Sequence, residues 1–344
     1  MDIPIQNIYY LLCYSWDKLD ESEIVDVSGI DSPELIDLFA KVLSGGLALL
    51  LKRGLDRYYV VQDEVVPGIK GKLNLTGTVK GNLLWQRKTR CAFDEFSFDI
   101  LHNRILRTTV EKLLRASALD ESIRDELRRH FVKFPRVSSL TLRNAHFKNV
   151  RLHRNNSHYD FFMKICRILY ENLFIDESTG SYRFRDFLRD ERAMGRLFEG
   201  FVRNFYRRET GFKVGSEEIR WSFVSSDAES GAMLPRMLTD ISLKSSKRKI
   251  IIDTKFYKEA FGTYHEKLRL NSSNLYQLFA YLNNQEETGN DLTESCEGIL
   301  LYPSVYKDFE YSYQYKKHRI RVMSINLNQD WKQIHKDLLQ IVRS

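Results

Sequence analysis

The segments Leu238-Thr-Asp-Ile-Ser-Leu243 and Ile250-Ile-Ile-Asp-Thr-Lys255 are the clearest indication of how this chain folds. Both are rich in residues that favour strands, and the turn-like Ser245-Ser-Lys-Arg248 lies between them. If this turn forms a four-residue hairpin loop, antiparallel pairing places Asp240 directly opposite Asp253. The sequence therefore predicts a β-hairpin that carries two facing carboxylates.

Lys255 adds a cation to this pair of carboxylates. It follows Asp253 by two residues, so both side chains point to the same face of the strand. Side chains that face each other across antiparallel strands lie roughly 5 Å apart at Cβ. Two carboxylates and one ammonium group at one place predict a divalent-metal site suited to phosphodiester hydrolysis. A shift of one residue in the assumed register would turn Asp240 to the other face.

The alternative interpretation is a solvated surface hairpin with charged pairs. Against it stands the continuous apolar run from Ile250 to Ile252, which is typical of a strand buried on both faces. An aspartate directly after such a run lies where burial ends. Two facing carboxylates repel each other unless a cation lies between them. The pattern therefore favours the metal site.

These residues also resemble a known nuclease signature. Asp240 followed by Asp253-x-Lys255 is similar to the PD-(D/E)xK motif. Downstream, Asn274-Leu-Tyr-Gln-Leu-Phe-Ala-Tyr-Leu282 resembles the Gln-x-x-x-Tyr helix found in a subset of those nucleases. In that interpretation Gln277 orients Lys255 or a metal-bound water. The alternative for Gln277 is an ordinary position on a helix surface.

The whole chain resembles the McrC family, the nuclease subunits of McrBC modification-dependent restriction systems. The nuclease motif alone is degenerate, whereas an ordered set of segments spread over nearly the whole chain is much more specific. The segments that carry the resemblance are Ile5–Trp16, Val66–Lys72, Leu101–Ile105, Leu234–Asp240 and Gly298–Pro303.

The resemblance implies a magnesium-dependent DNA endonuclease in which Mn²⁺ can substitute for Mg²⁺. Its C-terminal part would be a PD-(D/E)xK, restriction-endonuclease-like mixed sheet flanked by helices. The implied metal ligands are Asp240, Asp253 and the carbonyl of Thr254. The implied catalytic residues are Asp240, Asp253, Lys255 and Gln277.

A further candidate ligand lies on a predicted helix after Asp190. Its apolar residues fall on one side, and Glu199 falls on the other within an outward arginine stripe of Arg192, Arg196, Arg203 and Arg207. A solvated face explains most of those arginines. Because many nucleases of this class place an acid on the helix before the core sheet, Glu199 is a candidate metal ligand.

The implied partners are an McrB-type AAA+ GTPase hexamer and double-stranded DNA carrying a modified cytosine. The chain would dock into the ring, raise its GTP hydrolysis and cleave the DNA. One alternative is a non-catalytic adaptor or activator of a nucleotide-driven ring with a vestigial nuclease fold. Another is a basic nucleic-acid binder whose DNA binding survives Asp240→Ala and does not depend on metal.

Length and charge are compatible with these expectations. A chain of 344 residues can hold two domains, and a net charge of +7 favours an anionic partner. We expect an α/β protein with an α+β N-terminal part. Residues 1–155 are predicted to form a partner-docking domain of helices and a small β module. Residues 156–344 are predicted to form the endonuclease domain, after the polar linker Arg151–Ser157.

The remaining patterns argue against other classes. The four cysteines are scattered without a Cys-x-x-Cys pair, which disfavours a zinc ribbon and favours buried free thiols. Gly68-Ile-Lys-Gly-Lys72 lacks the spacing of a nucleotide-binding loop and is predicted to be a tight turn. We expect no signal peptide and no membrane-spanning segment, and hence a cytoplasmic protein.

Overall fold

The computed structural model of the chain describes residues 3–19, 34–175, 182–185, 188, 190–256, 261–264, 267–287, 289–305 and 308–343. Contacts divide the chain into two units. The first unit comprises the described residues within 1–33 and 186–344, and the second comprises those within 34–185.

The secondary-structure elements are numbered along the chain. The α-helices are α1 (Ile5–Ser15), α2 (Leu35–Arg53), α3 (Leu75–Lys80), α4 (Leu101–Leu114), α5 (Glu121–Phe131), α6 (Asn144–Asn149), α7 (Tyr159–Asn172), α8 (Glu191–Glu209), α9 (Ala228–Ala232), α10 (Ser272–Asn284), α11 (Asp291–Glu294) and α12 (Trp331–Arg343). The strands are β1 (Tyr58–Pro67), β2 (Lys72–Leu73), β3 (Lys88–Ser97), β4 (Leu173–Ile175), β5 (Tyr182–Phe184), β6 (Lys213–Gly215), β7 (Glu218–Ile219), β8 (Met237–Leu238), β9 (Ile241–Lys244), β10 (Lys249–Thr254), β11 (Phe261–Tyr264), β12 (Lys267–Leu270), β13 (Glu297–Ser304), β14 (Glu310–Tyr315) and β15 (His318–Asn326).

A six-stranded sheet forms the centre of the first unit, in the order β14-β15-β13-β10-β9-β6. Strand β13 pairs in parallel with both β10 and β15. The pairs β10–β9, β9–β6 and β14–β15 are antiparallel. The predicted mixed sheet is thereby confirmed. The run Ile250–Ile252 is fully buried, as expected for a strand covered on both faces.

Helix α10 covers one face of this sheet. Its residues Leu278 and Leu282 belong to one buried apolar cluster with Ile251 of β10 and Leu300 of β13. Gly298 of β13 permits the close approach, because a Cβ there would lie 2.9 Å from Leu282 and 3.1 Å from Leu278. Since α10 is held this closely, a polar side chain that it directs at the sheet is placed accurately.

Helix α8 contacts β6, β9 and β10. Its N-terminus is capped by the Asp190 carboxylate, which accepts from the backbone N–H groups of Arg192 and Ala193. The predicted apolar side is buried and comprises Met194, Leu197, Phe198, Phe201, Val202 and Phe205. The amphipathic pattern therefore identified correctly the side that faces the protein interior.

Helix α1 belongs to the first unit, although it lies near the start of the chain. The Asn204 side chain on α8 donates to the backbone oxygens of Tyr14 and Ser15, at 2.9 Å and 3.0 Å. The Asn7 side chain donates to the backbone oxygens of Leu327 and Gln329, both at 2.8 Å. The observed division of the chain thus differs from the predicted boundary after residue 155, both at the N-terminus and at α7, which lies in the second unit.

The second unit combines helices with a small three-stranded sheet, in the order β1-β3-β2. Helix α5 is capped by the Asp120 carboxylate, which accepts from the backbone N–H groups of Ser122 and Ile123. Asn103 is fully buried on α4, and its side chain donates to the backbone oxygens of Asp56 and Phe98. These two residues lie just before β1 and just after β3. Asn103 therefore ties together the two ends of the β module.

Two further expectations concern thiols and membranes. Cys13, Cys91, Cys166 and Cys296 are all free and buried, as predicted. Burial raises the pKa of the Cys166 and Cys296 thiols to about 12, so both remain protonated at neutral pH. Within the described part of the chain, every helix is too short or too polar to cross a membrane.

Candidate active site

The β9–β10 hairpin has the register that the sequence predicted. Lys249 pairs with Lys244, and the ladder continues to the pair Ile252 and Ile241. The loop is closed by a backbone hydrogen bond from Ser245 to Arg248, with N and O 2.9 Å apart. The next position inward would pair Asp253 with Asp240. The regular ladder ends one residue before that pair.

Asp240 reaches the end of β10 through its side chain. Its Oδ2 accepts from the backbone N–H of Thr254 at 2.9 Å and from the Thr254 hydroxyl at 3.1 Å. The amide and hydroxyl of Thr254, whose carbonyl is a predicted metal ligand, thus hold the first carboxylate in place. Asp240 is therefore fixed beside the residue that follows Asp253.

Asp253 is fully buried one residue before the end of β10, so burial continues past the apolar run and does not end at this aspartate as expected. Lys255 Nζ lies 2.7 Å from its Oδ2, whereas its Oδ1 has no hydrogen-bond partner among the described residues. Burial and, to a smaller extent, the Asp240 carboxylate raise the pKa of Asp253 to about 7, although the Lys255 ammonium opposes both. Such a buried oxygen beside a second carboxylate is a place that a further cation would fit.

Lys255 is held from a second side by helix α10. Its Nζ donates to Gln277 Oε1 at 2.9 Å. Gln277 Nε2 in turn donates to the Tyr281 hydroxyl at 2.8 Å, and that hydroxyl donates to the Leu238 carbonyl at 2.8 Å. The structure therefore brings together Asp240, Asp253, Lys255 and Gln277. The link from Tyr281 to Leu238 was not foreseen from the sequence.

Glu199 lies on α8 and pairs with Arg203 one turn later. Burial lowers the pKa of Arg203, and the nearby Asp240 carboxylate opposes this shift, which places the guanidinium in the field of the site. Arg203 was predicted only as part of an outward arginine stripe. Helical periodicity distinguishes the two sides of a helix but does not show which outward residue borders a site on another element.

The carboxylates available for a metal are few. Among the described residues, no group of three or more His, Cys, Asp or Glu side chains is arranged to hold a metal ion. Mg²⁺ commonly takes one or two protein carboxylates and keeps several waters. Asp240 and Asp253, with the buried Oδ1 of Asp253 left without a hydrogen-bond partner among the described residues, therefore fit Mg²⁺ better than a metal that needs a complete protein shell.

Comparison with known proteins places this chain in a family. The sequence model of the McrBC 5-methylcytosine restriction system component family matches residues 7–303. The chain belongs to this family. The resemblance inferred from ordered motifs is thereby confirmed. The matched range includes Asp240, Asp253, Lys255 and Gln277.

A curated relative and two solved structures extend the comparison. The chain is 36% identical over 341 residues to the Escherichia coli (strain K12) protein described as type IV methyl-directed restriction enzyme EcoKMcrBC, covering 98% of this chain and 97% of that protein. It is similar, at 18% identity and a TM-score of 0.61, to a chain in the refined half-complex from a tetradecameric assembly of Thermococcus gammatolerans McrB AAA+ hexamers with bound McrC. That match covers 99% of this chain and 75% of the other.

A chain in the cryo-EM structure of the Thermococcus gammatolerans McrBC complex is similar at 22% identity and a TM-score of 0.43, with 60% of this chain and 58% of the other covered. At 18% identity, the half-complex match with its TM-score of 0.61 speaks for the fold alone. The half-complex match, over nearly all of this chain, supports the mixed α/β architecture described above.

Proposed function

We propose that this chain is the magnesium-dependent DNA endonuclease subunit of a modification-dependent restriction complex. The observation that carries the proposal is the pair Asp240 and Asp253 at the end of a buried strand, with Lys255 beside them. Membership in a restriction-system family supports DNA as the substrate. Family membership by itself does not distinguish a chain that cleaves DNA from one that only assists a partner. Cleavage is therefore inferred from the residues of the site.

Asp240 and Asp253 would hold the metal, with the Thr254 carbonyl as a third ligand. Bound there, Mg²⁺ or Mn²⁺ would polarise the scissile phosphate and lower the pKa of the attacking water. Lys255 presents its ammonium group at the same place, where it offsets charge that develops on the phosphate and orients the water. Gln277 holds Lys255 in that position.

Metal binding tests this assignment directly. We expect calorimetry to detect Mg²⁺ and Mn²⁺ binding to the full chain and to detect none in Asp240→Ala/Asp253→Ala. A matched control is Asp63→Ala/Asp94→Ala, which removes two exposed carboxylates from the paired strands β1 and β3. Binding that is unchanged in the first variant would move the metal elsewhere and favour the adaptor with a vestigial nuclease fold.

We further propose that the chain docks onto an McrB-type AAA+ GTPase hexamer and stimulates it. The solved relative of similar fold is described as McrB hexamers with bound McrC. The curated relative is described as methyl-directed, which supports double-stranded DNA with a modified cytosine as the substrate. We place the docking surface at the turn Val66–Lys72 in the β module of the second unit, where the Ile69 side chain is exposed.

A charged residue in this turn should impair docking onto the ring without changing the nuclease site. Ile69 is 71% exposed, so Ile69→Asp leaves the core intact. We expect it to weaken binding to a cognate ring, and its stimulation of GTP hydrolysis, by roughly tenfold, as for loss of a central apolar contact. Val132→Asp is the control, since Val132 is 77% exposed in the same unit but outside the β module. Equal effects of the two substitutions would exclude the turn as the docking surface.

A further inference from the structure

We infer that Tyr281 is a positioning residue whose hydroxyl fixes the orientation of the Gln277 amide and, through it, the place of Lys255. The inference rests on the proposed nuclease function for its kinetic consequence. Its structural basis is a chain of hydrogen bonds that runs from the Leu238 carbonyl through Tyr281 and Gln277 to Lys255.

The direction of each hydrogen bond follows from the inventory of donors. The Tyr281 hydroxyl has one proton, and it donates that proton to the Leu238 carbonyl at 2.8 Å. Towards Gln277 the hydroxyl can therefore only accept, so it selects the Nε2 end of the amide. The oxygen of the amide must then lie at the other side, where Lys255 is.

Lys255 requires this orientation. An ammonium group has three donors and no acceptor, so it can bond only with the oxygen end of the amide. A reversed amide would point N–H groups at the ammonium and push it away. Gln277 is itself solvent-exposed, so packing does not select one orientation of its amide. Tyr281, which is 4% exposed, supplies the fixed reference point.

The same hydroxyl also joins two parts of the site. Leu238 ends strand β8, two residues before Asp240, whereas Tyr281 lies on α10. The hydrogen bond between them ties the segment that carries Asp240 to the helix that holds Lys255. One hydroxyl group thus links the segment before Asp240 to helix α10, in addition to the contacts that Thr254 and Asp253 make within the site.

Tyr281→Phe tests the inference, because the ring keeps its packing and loses only the hydroxyl. We expect the single-turnover rate of DNA cleavage, measured with the cognate ring, GTP and saturating DNA, to fall about tenfold, which corresponds to about 1.4 kcal/mol. Gln277→Ala should lower the rate by at least as much. In Tyr281→Phe/Gln277→Ala the rate should match Gln277→Ala within about twofold, because both substitutions interrupt one chain. If the rate losses of the two single variants instead multiplied in the double variant, the inference would be overturned.

Tyr302→Phe is the matched control. Its buried hydroxyl accepts from the Asn274 side chain, also on α10, in a hydrogen bond separate from the one between Gln277 and Tyr281. We expect this variant to cleave within about twofold of the wild-type rate. An equal loss in Tyr302→Phe and Tyr281→Phe would show a general effect of loosening α10 and would overturn the inference.

Crystal structures of the wild type and Tyr281→Phe give a readout that needs no substrate. Without the hydroxyl, we expect Gln277 to occupy two conformers and the Lys255 to Gln277 separation to exceed hydrogen-bond distance in at least one. Unchanged, singly ordered side chains would overturn the inference. If instead these side chains shift but the wild type cleaves no DNA with its ring, the positioning role stands and the proposed nuclease function fails.

Discussion

Asp253→Asn is expected to abolish DNA cleavage, with a loss of at least about 10³-fold, because asparagine keeps the shape of the side chain but removes a charged metal ligand. The measurement is cleavage of a duplex with modified cytosine in the presence of Mg²⁺, GTP and a cognate ring. Circular dichroism and ring binding should match the wild type. Cleavage at a similar rate in the variant would contradict the assignment of the site.

The same substitution is expected to stabilise the metal-free protein at alkaline pH. The pKa of Asp253 is raised to about 7 in the folded chain, from about 3.9 when unfolded. The folded state therefore binds the proton more tightly, so wild-type stability falls as the pH rises from about 4 to about 7. Asparagine has no such loss. At pH 8 the free energy of unfolding of Asp253→Asn should exceed that of the wild type by on the order of 2 kcal/mol, since loss of the Lys255 contact offsets part of the gain.

Urea unfolding in the presence of a chelator, at pH 5 and at pH 8, measures this difference. The gain from Asp253→Asn should appear at pH 8 and shrink at pH 5, where most of the wild-type carboxyl is already protonated. Asp240→Ala provides the contrast, because it removes the acceptor of the Thr254 N–H and hydroxyl. That variant should be less stable than the wild type at both pH values. A variant Asp253→Asn that is less stable at pH 8 would contradict the origin assigned to the pKa shift.

Features of the fold that depend on local spacing and periodicity in the sequence were predictable. A hairpin of four loop residues determines which residues face each other, and so the sequence alone placed Asp240 next to the end of β10. The buried run Ile250–Ile252 and the apolar side of α8 followed from periods of two and of 3.6 residues. The spacing Gln-x-x-x-Tyr placed Gln277 and Tyr281 on one side of a helix.

Features that depend on distant parts of the chain were not predictable. Nothing near Asn7 or Tyr14 indicates that α1 packs with α8 and with the segment after β15, because these contacts join residues 190 to 322 positions apart. For the same reason the hydroxyl of Tyr281 could not be connected with Leu238, 43 positions earlier. Arg203 could not be distinguished from the other arginines of α8. Each of these depends on tertiary packing, which no local period encodes.

Lys255→Met is expected to lower the cleavage rate by about 10²–10³-fold while leaving metal binding intact. Methionine keeps an unbranched apolar stem but removes the ammonium group that stabilises charge at the phosphate. Lys247→Met is the control, since it removes the same charge from the exposed hairpin loop. We expect Lys247→Met to cleave within about threefold of the wild-type rate. Equal losses in the two variants would reduce Lys255 to a contributor to overall charge.

Calorimetry then distinguishes the role of Lys255 in metal binding from that of Asp253. In the metal-free chain the Lys255 ammonium is the cation 2.7 Å from the Asp253 carboxylate, so it competes with a divalent ion for that oxygen. Removing it should leave the Mn²⁺ affinity unchanged or increase it, whereas Asp253→Asn should abolish binding. If Lys255→Met also lost Mn²⁺, the lysine would serve to hold Asp253 in place, and its role at the phosphate would have to be abandoned. Retained metal with lost cleavage assigns the two residues to different steps of one reaction.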